Sequence, residues 1–83
     1  GPVFGVENLA VTGPMRPIGE RHVRFTLSDG SGELRTVAWG VREEVEEVVR
    51  AARGPLRAAL KLERDVYLGR EFLEGRLVAL AAG

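Results

Sequence analysis

From His22 to Ser28 apolar and polar residues alternate without a break. Val23, Phe25 and Leu27 fall on one parity, His22, Arg24 and Thr26 on the other. A strand turns successive side chains to opposite faces, so this is a half-buried strand with Phe25 in the core. Asp29-Gly30-Ser31-Gly32 follows as a hairpin turn in which both glycines can take positive φ. Leu34 to Trp39 is the partner strand, with poorer alternation. Upstream, Val3 to Val11 is rich in β-formers. Phe4, read as core, and Val6 share one parity, while Leu9 and Val11 share the other, which places a bulge near Glu7-Asn8. Thr12 to Glu20 holds Gly13, Pro14, Pro17 and Gly19 and predicts a loop carrying Arg16.

Downstream the period changes. Val41, Val45, Val48, Val49 and Ala52 form one stripe at helical spacing, predicting a helix over 41–53 that ends at Gly54-Pro55. Glu43, Glu44, Glu46 and Glu47 crowd its first half and Arg50 and Arg53 its end, as the helix dipole favours. From Leu56 to Leu68 the even positions Leu56, Ala58, Leu60, Leu62, Val66 and Leu68 are apolar, a long strand interrupted at Arg64. Gly69-Arg70 reads as a turn, and Glu71 to Ala81 as a last strand with Leu73, Leu77 and Ala79 inward. The order β-β-β-α-β-β describes a mainly β, five-stranded OB-fold Greek-key barrel capped by its one helix. Ligands of that fold lie across strands 2 and 3 and the loops L12 and L45, here 22–28, 34–39, 12–21 and 69–71.

Composition narrows the chemistry. Eighty-three residues make one domain. With no cysteine, disulfides and thiolate metal sites are excluded, and nothing argues for an oxidising compartment, so a cytoplasmic location is expected. A lone His22 cannot build a zinc site. No apolar run approaches the roughly 20 residues of a membrane helix. Twelve basic residues balance twelve acidic ones, unlike the strongly basic balance of a duplex-DNA binder. Gly1-Pro2, without a starting methionine, looks like the scar of a cleaved tag, so residues 3–83 are expected to be a domain taken from a larger protein.

A single-strand groove needs cations for the backbone and flat side chains for the bases. Strand 2 offers His22 and Arg24 on its outward parity, and Arg35 joins them if it faces the same way. Arg16 and Arg21 flank them from the first loop, and Arg57, Lys61 and Arg70 approach from the far side. Trp39 and Tyr67 are the stacking candidates. Each also fits a plainer role. A strand arginine is commonly solvated or ion-paired, Arg70 serves the turn, Trp39 supplies the bulk that a small barrel needs, and the acidic helix face is solvated or docks a protein.

The stretch "GERHVRFTLSDGSGELRTVAWG", with its histidine strand and Ala38-Trp39-Gly40 ending, resembles the OB domain of RecJ-type exonucleases. So does "LKLERDVYLGREFLEG", with its Tyr67-Leu68-Gly69-Arg70 turn. The likeness runs from about Phe4 to Leu80. It implies a parent 5′-to-3′ exonuclease of the DHH superfamily, specific for single-stranded DNA and working in repair and recombination. Its core would use two manganese or magnesium ions. No Asp-His-His occurs here, so no catalytic or metal role carries over to any residue, and this chain alone is expected to need no cofactor. The implied role is to hold single-stranded DNA beside the parent's nuclease core. Two other classes stay open. One is a structural or protein-interaction barrel bracing a nuclease or replicative polymerase, or docking a helicase or single-strand binding protein. The other, a stand-alone enzyme, lacks any nucleophile–base pair or phosphate-binding loop.

Overall fold

The computed structural model describes residues 1–83. Its strands are β1 (Phe4–Ile18), β2 (His22–Ser28), β3 (Glu33–Ala38), β4 (Leu56–Tyr67) and β5 (Arg70–Ala82), with the helix α1 (Arg42–Ala51) between β3 and β4. They close into a barrel in the order β1-β2-β3-β5-β4. All neighbours are antiparallel except β3 and β5, which run parallel. That order, with the helix after the third strand, is the OB-fold.

β1 serves two partners. Its first part pairs with β4, from Phe4 opposite Leu60 to Leu9 opposite Leu56, and its later part pairs with β2, from Ala10 opposite Ser28 to Ile18 opposite His22. The parity switch in the sequence is a bulge between Val6 and Leu9, where Asn8 takes φ 58°. A short polar side chain tolerates that left-handed backbone best after glycine. The loop expected over 12–20 is instead strand with a second irregularity. Gly13 has φ 72°, pairing lapses through Pro14 and Met15, and it resumes with Arg16 opposite Arg24. Proline is tolerated where the ladder is already broken. The true β1–β2 connection is only Gly19, Glu20 and Arg21.

Val23, Phe25 and Leu27 form the core with Leu9, Ala38, Leu56, Ala58 and Leu60, and Val45 of α1 plugs one end. Val48, Val49 and Ala52 pack against it. The helix is shorter than its stripe. Val41 precedes it, and Ala52 is already extended, because the chain must straighten to enter β4 through Pro55. Phe4 lies opposite inward Leu60 but begins its strand, and is 46% exposed rather than core.

On β4 only Leu56, Ala58 and Leu60 are buried, while Leu62 and Val66 are exposed. β1 covers β4 no further than Leu60, so the β4–β5 hairpin projects past the barrel from there. On β5 Leu73 and Ala79 face solvent, against expectation. Val78 is skipped between the pairs Ala59–Ala79 and Leu60–Leu77, so the parity flips and Leu80 instead of Ala79 joins Leu77 against the core. Leu73 shares the parity of Leu77 but lies opposite Arg64, on the hairpin past the barrel.

The barrel closes through two parallel pairs, Thr36–Gly75 and Val37–Arg76. At Gly75 a Cβ would stand 2.9 Å from Leu34 Cδ2 and 3.0 Å from Thr36 Oγ1. Thr36 is fully buried and its hydroxyl donates to the Leu34 carbonyl at 3.1 Å, so it has little room to yield. The β2–β3 turn is held by Asp29. Its Oδ1 accepts from the Ser31 hydroxyl at 2.8 Å, the Ser31 amide at 2.9 Å and the Gly32 amide at 3.0 Å. Gly30 has φ 92°, whereas Gly32, expected to share that conformation, does not take a positive φ.

Gly75→Ala should destabilise the domain by about 1–3 kcal/mol through overpacking at the closure, read by denaturant unfolding. The hydrogen bonds to Asp29, that from the Ser31 hydroxyl first, hold its carboxyl below the usual aspartate range. A lowered pKa means that the charged form stabilises the folded turn above the unfolded value and that this is lost as pH falls through the folded one. Carbon-detected NMR should therefore show Asp29 titrating below the usual aspartate range, with the Ser31 and Gly32 amides shifting in the same acid window.

Candidate nucleic-acid interface

The register around the barrel lines up one row of outward positions. Arg16 on β1 faces Arg24 on β2, Arg24 faces Val37 on β3, Val37 faces Arg76 on β5, and Arg76 faces Lys61 on β4. Directly opposed residues share a face of the sheet. Four of these five positions are cationic. One step along, Thr26 faces Arg35, which brings Arg35 onto the β2–β3 face as expected. Arg16, Arg24 and Arg35 line one depression of about 340 Å³ with Thr12, Thr26 and Glu33.

Carboxylates interleave with these cations. Arg24 Nη2 lies 3.5 Å from Glu74 Oε1, with the Glu74 side chain only 12% exposed. Arg24 stands on β2 and Glu74 on β5, so the pair reaches across β3. Val37 beneath it has outward register and yet is only 4% exposed. Arg76 lies 3.7 Å from Glu63, both half-exposed, a contact of little net worth in water.

Flat groups flank the row. The Arg35 guanidinium sits 5.4 Å from the Phe72 ring centroid, a cation–π arrangement. Trp39, which the sequence offers as a stacking platform or as barrel filling, is 46% exposed, because β3 ends at Ala38 and the barrel interior is already filled by smaller side chains. The His22 ring meets Trp39 edge-on, at 5.0 Å and 66°. His22 Nδ1 accepts the Gly40 amide at 2.8 Å, which leaves Nε2 as the ring's N–H and fixes the imidazole against the indole.

Other candidates lie apart. Arg21 shares a recess with Glu20, Glu43 and Glu44, off the cationic row. Its carbonyl accepts the Arg42 amide at 3.0 Å, and the Gly19 carbonyl accepts Arg42 Nη1 at 3.2 Å, so α1 pins this turn. Arg57 faces Ala81 and lines a groove of small residues, Gly5, Ala59 and Ala79 among them, that holds no other candidate. Tyr67 and Arg70 face each other at the exposed hairpin tip, beyond the barrel.

Sequence reasoning passed over Phe72, Glu74 and Arg76. A signal for Arg76 was present: a two-residue turn at Leu68-Gly69 sets Tyr67 opposite Arg70, and counting back sets Lys61 opposite Arg76. Phe72 and Glu74 come within reach of Arg35 and Arg24 only through the parallel closure, which no local pattern announces.

A barrel of this topology, with cations on its β2–β3 face and the exposed Trp39 beside them, defines an OB domain with a built outer surface. The family model described as "RecJ OB domain" matches residues 1–79, and the chain belongs to that family. No curated protein matches it. Among solved structures, the small single-stranded DNA-binding protein from Streptomyces coelicolor is similar at 16% identity and a TM-score of 0.48, over 100% of this chain and 96% of that one. That likeness is too loose to carry an argument.

Replacing His22 by alanine removes both the acceptor for Gly40 and the edge contact on Trp39. The expected outcome is faster hydrogen exchange at the Gly40 amide and stronger acrylamide quenching of Trp39 fluorescence. Unchanged quenching would show that the histidine does not hold the indole.

Proposed function

We propose that this chain is the module of a RecJ-like 5′-to-3′ exonuclease that holds single-stranded DNA, acting without chemistry of its own in repair and recombination. The observation that carries this reading is the registered row Arg16–Arg24–Val37–Arg76–Lys61, set beside Arg35, Phe72 and Trp39. A strand laid over it meets guanidiniums at its phosphates and rings at its bases, the pairing that binds single strands with little regard to sequence. Membership of the RecJ OB family supports the parent's identity. The manganese or magnesium of such a parent belongs to its nuclease core. No group of three or more His, Asp or Glu side chains comes together in this barrel to fit an ion. No helix is long and apolar enough to cross a membrane, and the cytoplasm is the compartment the reading assigns.

Interleaved carboxylates weaken the field of the row. With about three or four phosphates neutralised, the slope of log affinity against log salt is about −2 to −3. The isolated domain should bind weakly, at tens of micromolar or above, and gain effective concentration from attachment to the nuclease core.

A second reading has its own observation. Leu62, Val66, Leu68 and Leu73 are exposed together on the projecting hairpin, which suits a barrel that braces a larger enzyme or docks a helicase or single-strand binding protein.

Fluorescein-labelled oligo-dT, titrated by anisotropy at low and moderate salt, separates the two. The groove predicts salt-sensitive binding with quenching of Trp39, weakened about tenfold or more by Arg35→Glu. Absence of binding at low salt and high protein concentration would sink the groove and leave the bracing role.

A further inference from the structure

The Arg24–Glu74 pair lies in the middle of the proposed groove and blocks it. We propose that Glu74 is a built-in phosphate mimic: in the unbound protein its carboxylate occupies, on Arg24, the place that a backbone phosphate takes when a strand crosses β2 and β3. The inference rests on the single-strand reading above and adds to it a residue that sets affinity from within.

Four observations converge. First, the pair reaches across the outer face of β3 over Val37, so a strand following that face must pass it. Second, it is exchangeable. At 3.5 Å it is a single long contact, not the short bidentate fork that makes arginine–carboxylate pairs strong. Third, Arg24 Nε is buried and has no partner. A guanidinium drawn toward Glu74 by one terminal nitrogen leaves its remaining donors unused, and a phosphate offers oxygens for more than one of them. Fourth, Glu74 stands where a negative charge is poorly housed. Its side chain is 12% exposed, and its registered neighbour on β4 is another carboxylate, Glu63. Arg76 lies instead toward Glu63, at 3.7 Å. Arg24 is the cation within ion-pair distance of Glu74, and Glu74 is the anion on the central guanidinium of the row.

Strand entry on this account is an exchange. Arg24 leaves the carboxylate for a phosphate, and Glu74 turns out to water. No bond is made or broken. The affinity observed is the phosphate contact less the cost of parting the pair, and the carboxylate discriminates against ligands too weakly charged to displace it.

The test is an anisotropy titration of labelled oligo-dT at fixed low salt with wild type, Glu74→Gln, Glu63→Gln, Arg24→Gln and the double variant Arg24→Gln/Glu74→Gln. Glu74→Gln should bind about three- to tenfold tighter. Glu63→Gln, which removes the same charge from the neighbouring position, should gain clearly less. The gain from Glu74→Gln should vanish in the Arg24→Gln background, since the cycle isolates the coupling between the two. Equal affinity of Glu74→Gln and wild type overturns the proposal, as does an equal gain from Glu63→Gln or persistence of the gain without Arg24. The wild-type protein supplies a readout free of variants: the Glu74 side-chain carboxyl carbon should shift on addition of oligo-dT. Binding without that shift also overturns the mimic while leaving the groove intact. If no variant binds oligo-dT at all, the single-strand reading falls and takes this inference with it.

Discussion

Everything on the outer face depends on how closely β5 can approach β3. The two strands meet over only two registered pairs, and at Gly75 the gap is too narrow for a methyl group. The fully buried Thr36 backs that contact. Because β5 lies this close, Val37 and Arg76 fall into one row with Arg24 and Lys61, Phe72 reaches Arg35, and Glu74 reaches Arg24 across the strand between them. A wider seam would leave two half-sheets with unrelated surfaces.

That geometry also explains how a chain of zero formal charge can carry a cationic strip. Balance over the whole sequence says nothing about register. Cations from four strands are gathered into one row by pairing, while the helix glutamates lie on the end-cap and Glu63 and Glu74, opposite each other, lie beside the row. The strip is thus dense in charge yet partly self-neutralised, and its strength is decided by contacts within a few ångströms.

Much of this was legible in the sequence. The alternation from His22 to Ser28 identified β2 and its inward set Val23, Phe25 and Leu27, the parity switch near Asn8 located a bulge, and the valine stripe marked the plug. What misled was local punctuation. Gly13 and Pro14 signal a loop in most contexts, and here they sit in an irregularity within the part of β1 that pairs with β2. Ala79 was misassigned because skipping Val78 flips the parity of β5, and Leu73, whose parity is inward, because it lies on the hairpin beyond the barrel; Trp39, which the sequence left open between platform and core, is exposed because β3 stops one residue short of it. The closure of β5 on β3 joins residues distant in the chain, so Phe72 and Glu74 acquire their neighbours from topology alone.

The two-partner course of β1 has a consequence in time. The β1–β2–β3 meander joins segments near one another in the chain and closes short loops, whereas Phe4 meets Leu60 and Thr36 meets Gly75 only after most of the chain has been gathered. Contacts of that span spend loop entropy before they return any packing energy. The meander can take shape with its arginines already in line, but the carboxylate that tempers them belongs to the strand that arrives last. Until the barrel shuts, the same face carries its cations without their counterweight.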